Sequence, residues 1–134
     1  MRPKASVLIA EDEAQARESL RALLEDEGYR VVCASDGAEA SRILGQSAVE
    51  AALIDIRMPL KDGLELLREL KDTASPPAVL IMTAYGTSAL AIQAMALGAV
   101  AYLPKPLDVE EMRIQLQRAS DDRRQTRERA AAPQ

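Results

Sequence analysis

Residues 51–63 read Ala51-Ala52-Leu53-Ile54-Asp55-Ile56-Arg57-Met58-Pro59-Leu60-Lys61-Asp62-Gly63, and their order decides the fold. The apolar run from Ala51 to Ile54 has the length of a strand buried on both faces. It stops at a carboxylate, Asp55, and passes into a loop holding Pro59 and Gly63. Asp62 then stands as the cap of a helix over 63–72. Strand, loop and helix in that order make one step of a βαβ unit.

The step repeats on either side. Further apolar runs are Val7-Leu8-Ile9-Ala10, Val31-Val32-Cys33-Ala34, Val79-Leu80-Ile81-Met82 and Val100-Ala101-Tyr102-Leu103. Between the first two, Ala16, Leu20, Leu23 and Leu24 keep helical spacing, and Gly28 supplies a stop. Asp36 can cap a helix over 37–45, Gly98 closes one over 87–97, and Val109, Met112, Leu116 and Ala119 mark a last amphipathic helix after Asp108. Five strands alternating with five helices predict an α/β fold with a parallel sheet and helices on both faces. Pattern alone does not give the strand order; a flavodoxin-like (βα)5 sheet in order 2-1-3-4-5 is the common solution at this size.

Composition suits one compact domain: 134 residues, 48% hydrophobic and 28% charged, with no Phe or Trp and only three Tyr. The absence of His excludes His-based acid–base catalysis and His-ligated zinc. A net charge of −4 does not favour nucleic acid as a direct partner. The single Cys33 cannot form an internal disulfide, which fits a reducing compartment. No stretch approaches the roughly 20 apolar residues of a membrane span, and no signal peptide is visible, so a cytoplasmic location is expected. After Ala119 the apolar periodicity stops. Residues 120–134 read either as a frayed helix end passing into a charged tail or linker, or as a continuing helix that pairs with a partner or leads to an output domain.

In a parallel sheet the site lies outside the carboxyl ends of the strands. The first strand ends in Glu11-Asp12-Glu13 and the third in Asp55, so Glu11, Asp12 and Asp55 should converge. Close carboxylates repel one another, and such a cluster needs a cation at neutral pH. Oxygen donors suit octahedral Mg²⁺. Glu11 and Glu13, taken alone, also read as solvated acids opening a helix. The fourth strand ends in Thr83-Ala84 and the fifth in Pro104-Lys105-Pro106, which adds a hydroxyl and an ammonium. Acid, acid, hydroxyl and ammonium from four strand ends suit phosphoryl transfer to a carboxylate nucleophile.

These stretches, together with Leu53-Ile54-Asp55-Ile56-Arg57-Met58-Pro59, Asp62-Gly63, Met82-Thr83-Ala84 and Leu103-Pro104-Lys105-Pro106, resemble the bacterial response-regulator receiver family over residues 5–119. Residues 82–87 and 94–99 further resemble receivers of nitrogen-regulation-type transcription activators. The resemblance implies a receiver domain over 1–119, with 120–134 a charged tail or the start of a linker to an output domain. It implies that Asp55 is phosphorylated by a histidine kinase, a phosphotransfer protein or a small phosphodonor. Asp12 and Asp55 would bind Mg²⁺ directly with the backbone carbonyl of Arg57, and Glu11 through water. Lys105 would pair with the phosphoryl group, its bond to Pro106 being cis. Thr83 would move toward the phosphate and Tyr102 rotate behind it. Arg57, Met58, Ala84 and Tyr85 would tune the pocket. Signalling, and a possible homodimer, would use the fourth helix, fifth strand and fifth helix, toward a transcriptional or other output. The sequence departs from the family in its Glu-Asp acid pair and in Leu107, where a Phe is common.

Three other readings share the fold. A flavin-binding module needs a Ser/Thr-rich phosphate cradle where this chain has Glu11-Asp12-Glu13. An Asp-nucleophile phosphatase usually carries a second acid two residues on, where this chain has Arg57. A phosphorylation-independent scaffold would usually have lost part of the set Asp12, Asp55, Thr83 and Lys105.

Overall fold

A computed structural model describes residues 4–84 and 88–131. The elements alternate throughout: β1 Ser6–Ala10, α1 Ala14–Asp26, β2 Arg30–Ala34, α2 Gly37–Gln46, β3 Ala51–Asp55, α3 Gly63–Leu70, β4 Ala78–Thr83, α4 Ser88–Ala96, β5 Ala101–Pro104 and α5 Val109–Ala131. The strands form one sheet in the order β2-β1-β3-β4-β5, all parallel. The α/β, doubly wound architecture expected from the apolar runs is therefore present, with that strand order.

Alternation along each strand divides the core into two layers. Leu8, Ile54 and Ile81 face α2, α3 and α4, where Ala40, Ile43, Leu66, Leu67 and Ala94 pack against them. Val7, Ile9, Leu53, Leu80 and Met82 face α1 and α5, where Leu24, Met112 and Leu116 complete the layer. Both faces of β3 and β4 are covered, which is why these strands are apolar at nearly every position.

Side-chain caps start the helices where the sequence places them. Asp36 accepts a hydrogen bond from Glu39 N (2.8 Å). Asp62 and Glu65 form a reciprocal capping box at α3. Gly28 and Gly98 carry φ of +100° and +106°, a backbone state that glycine adopts without a Cβ penalty. In α3 the buried Leu66, Leu67 and Leu70 each contribute on the order of 1.5–3 kcal/mol of apolar burial.

One expectation shifts, and one left open is decided. Val100 lies outside β5 and is exposed, so that strand begins one residue later. Of the two readings of the stretch after Ala119, the continuing helix is the one present: α5 runs to Ala131. Polar contacts replace the missing apolar stripe: Arg127 donates to Ser75 Oγ (3.0 Å) and Ser75 O (2.9 Å), and Arg124 lies 3.8 Å from Glu50. No helix among the described residues is long and apolar enough to cross a membrane.

Candidate functional site

The carboxyl ends of β1, β3, β4 and β5 bring four groups together. Lys105, just past β5, reaches across the sheet edge. Its ammonium donates to Glu11 Oε1 (2.5 Å) and to Asp55 Oδ2 (2.6 Å). The other Asp55 oxygen, Oδ1, accepts from the Arg57 backbone N–H (3.0 Å). Asp55 and Thr83 are buried at the ends of their strands, and Lys105 N donates to Thr83 O at 2.7 Å. The peptide bond between Lys105 and Pro106 is cis.

Glu11 and Asp12 differ sharply in environment. Glu11 is 1% exposed, while Asp12 faces solvent. β2, α1 and the β1–α1 loop each hold one part of Glu11: its N–H donates to Ala34 O, its carbonyl accepts from Arg17 Nη1 (2.9 Å), and Oε2 accepts from Glu13 N (3.2 Å). Glu13 is the cap of α1, accepting from Gln15 N and Ala16 N. Only Glu13 therefore fits the reading of a solvated acid opening the helix.

Burial pushes the Glu11 carboxyl above its ordinary range, and the charge on Asp55 adds to this; hydrogen bonds from Lys105 and the Glu13 N–H act the other way without overcoming it. Burial would lower Lys105, but its hydrogen bonds to Asp55 and Glu11 outweigh that and hold the ammonium above its ordinary value. Oxygens of Glu11, Asp12 and Asp55 all lie within 4.8 Å of one another. The Lys105 ammonium is paired with two of these three carboxylates, and a divalent cation would balance the charge that remains. An all-oxygen donor set suits a hard ion.

Arg57 is exposed and Met58 half-buried in the β3–α3 loop; Ala84 is exposed just beyond Thr83. Tyr102 is half-buried on the edge strand β5, packed against the α2–α4 layer. Tyr85 lies outside the described residues.

Sequence reasoning missed the supports. Arg17 fixes the Glu11 carbonyl from one helical turn into α1. Gly37 starts α2 directly beneath the β3–α3 loop, where a Cβ would sit 1.7 Å from Lys61 O. Glycine at the first position of a helix, after an Asp cap, is the only sequence trace of that close approach. Lys61 joins Glu69 of α3 in an ion pair and lies 3.4 Å from Ser41 Oγ of α2.

Comparison with known proteins agrees with this geometry. Residues 7–117 match the family model described as response regulator receiver domain. Response regulator MprA of Mycobacterium sp. (strain KMS) is 38% identical over 120 residues, 87% of this chain and 52% of that protein. The chain thus spans about half the length of the curated relatives it matches. A response regulator receiver domain protein from Clostridium thermocellum superposes with a TM-score of 0.84 at 31% identity, covering 91% of this chain and 98% of the other. NtrX from Brucella abortus gives 0.83 at 26% identity, covering 94% of this chain and 29% of that one. With four strand ends converging on Asp55 and the family model spanning most of the sequence, the chain belongs to the response regulator receiver domain family, the receiving component of two-component signalling.

Proposed function

We propose that Asp55 is the phosphoryl acceptor of this receiver and that Asp12, Asp55 and the Arg57 carbonyl hold a Mg²⁺ ion, with Glu11 acting through water. The observation that carries the reading is the ammonium of Lys105 shared between Glu11 and Asp55 at the mouth of a three-carboxylate cluster. A group held there is placed to meet the oxygens of an incoming phosphoryl group.

In the transfer, a carboxylate oxygen of Asp55 forms a bond to phosphorus as the bond from phosphorus to the donor breaks. The donor is the imidazole nitrogen of a histidine kinase or phosphotransfer protein, or the oxygen of a small acyl phosphate. The leaving group keeps the electron pair, and the product is an aspartyl phosphate. Bound beside Asp55, Mg²⁺ would neutralise charge on the transferring oxygens. Lys105 then exchanges a carboxylate partner for a phosphoryl oxygen, and Thr83, buried at the end of β4, supplies a hydroxyl on the other side. Arg57, Met58, Ala84 and Tyr85 would set the access of water to the acyl phosphate.

The signal would pass through Thr83 and Tyr102 to the α4, β5 and α5 face. Ile92, Met95, Val100 and Ile114 stand exposed on or beside these elements, which suits a partner or a second copy of the chain. Light scattering with and without beryllofluoride tests the dimer; an unchanged mass overturns it. The phosphoacceptor assignment is tested by acetyl phosphate plus Mg²⁺. Intact mass should show one added phosphoryl group on the native chain and none on Asp55→Asn. An unmodified native chain overturns the reading.

A further inference from the structure

The β3–α3 loop, which carries Arg57 and Met58 past Asp55, contains a strained turn. Lys61 N donates to Pro59 O at 2.8 Å across Leu60, whose φ is +71°. A hydrogen bond from residue i+2 to residue i around a positive φ is a γ-turn of the rare, strained kind, and Leu gains none of glycine's tolerance for it. Leu60 itself is 79% exposed, so its own packing does not hold the turn.

The hold comes from the next residue. The Lys61 ammonium is ion-paired with Glu69 on α3 and lies 3.4 Å from Ser41 Oγ on α2. Ser41 donates in turn to the other Glu69 oxygen at 2.6 Å. The three side chains therefore tie the loop to two helices at once. On the backbone side, Pro59 O also accepts from Gly37 N (3.2 Å), and the Lys61 carbonyl occupies the space a Gly37 Cβ would need. Burial would raise the Glu69 carboxyl, but hydrogen bonds from Lys61 and Ser41 outweigh it and leave Glu69 below its ordinary range, so it stays ionised in the clasp.

We propose that Lys61 is a positioning residue for the phosphoryl-transfer site: its clasp to Glu69 and Ser41 holds the strained turn at Leu60 and thereby fixes the course of residues 56–59 beside Asp55. This rests on the reading of Asp55 as phosphoryl acceptor. The Lys61 ammonium is committed to Glu69 and Ser41, so it acts through the backbone of the loop that also carries Arg57.

The experiment compares Lys61→Met, which keeps the aliphatic stem, with Lys61→Arg, each alone and with Leu60→Gly. Amide exchange at Gly37 and Lys61 and Mg²⁺ affinity by calorimetry are read on the unphosphorylated protein. In Lys61→Met, exchange at these amides should rise by about tenfold, as for a locally opened segment. Mg²⁺ binding should weaken by about threefold, less than the 10–100-fold cost of losing a direct outer-shell partner. Lys61→Arg should restore both, and Leu60→Gly, by removing the strain, should shrink both effects of Lys61→Met. Native-like exchange and Mg²⁺ affinity in Lys61→Met overturn the proposal, as does an undiminished effect in the Leu60→Gly background. A native chain that takes up neither Mg²⁺ nor phosphate defeats the phosphoacceptor reading instead, and the exchange data still decide whether Lys61 holds the turn.

Discussion

Replacing Gly37 with Ala adds one methyl group at the start of α2, and the structure gives it no room. The new carbon would lie 1.7 Å from Lys61 O, 2.5 Å from Lys61 C and 2.6 Å from Lys61 Cβ. Ordinary contact needs about 3.5 Å, so helix and loop must separate by nearly 2 Å. Two of the three obstacles are backbone atoms, which cannot swing aside as a side-chain tip can. The separation also breaks the Gly37 N to Pro59 O bond of 3.2 Å. Overpacking of this kind costs about 1–3 kcal/mol, the lost hydrogen bond about 1 kcal/mol, and better helix propensity returns less than 1 kcal/mol. The net loss should be about 2–3 kcal/mol, or roughly 10 °C in Tm for a chain of this length. Gly45, in the last turn of the same helix, is the internal control. A Cβ there meets nothing within 4 Å, so Gly45→Ala should stabilise by about 0.5 kcal/mol. Urea titration followed by circular dichroism measures both, with the slope expected unchanged and the midpoints moving in opposite directions. If Gly37→Ala stays within about 0.5 kcal/mol of the native protein, the close approach of α2 to the loop is refuted.

Three further outcomes are expected. Lys105→Met leaves Glu11 and Asp55 side by side without their shared counterion; because Lys105 is itself partly exposed, the loss in metal-free urea titration should be about 1–3 kcal/mol, reduced when Mg²⁺ is added. Arg127→Ala should raise amide exchange over 121–131 while shifting the unfolding midpoint by less than about 1 kcal/mol, and an unchanged exchange profile would show that the Ser75 contacts do not hold the end of α5. Burial raises the Tyr29 phenol above its ordinary 10.0, so one tyrosine should titrate late in ultraviolet absorbance. The unfolded chain gives up that proton first, so stability is intact below pH 10 and lost as the pH rises through the folded value; a late titration without this loss would contradict the burial account.

The strands and the meeting of polar residues at their carboxyl ends were legible because hydrophobic pattern places each run and its end. Ala51–Asp55 and Ala78–Thr83 are apolar at nearly every position since helices cover both of their faces, and the polar residue ending each run marks the functional edge. Less visible was anything decided by how polar groups pair over distance. Glu11 and Asp12 look alike in sequence, yet one is 1% exposed and the other solvated, because only Glu11 turns inward toward Lys105. The extension of α5 past Ala119 leaves no apolar stripe, since its contacts are arginines to Ser75 and Glu50, and its buried Ser120 satisfies itself on Leu116 O at 2.8 Å. The positive φ at Leu60 has no signal in the residue type and is set by the loop's anchorage to α2 and α3.

The length of α5 has a mechanical consequence. Its 23 residues make a rod of about 34 Å, roughly twice the span of a five-residue strand, starting four residues after Lys105 and ending at the opposite pole of the domain. Met112 and Leu116 seal its first half into the core, and Arg124 and Arg127 tie its far end to Glu50 and Ser75, so the rod is clamped at two places. A beam clamped at two places resists bending more than one held at a single end, so the arginines stiffen turns that the core does not reach. Loosening the arginine contacts alone, with the acidic cluster untouched, leaves the base clamped in the core and frees only the last turns.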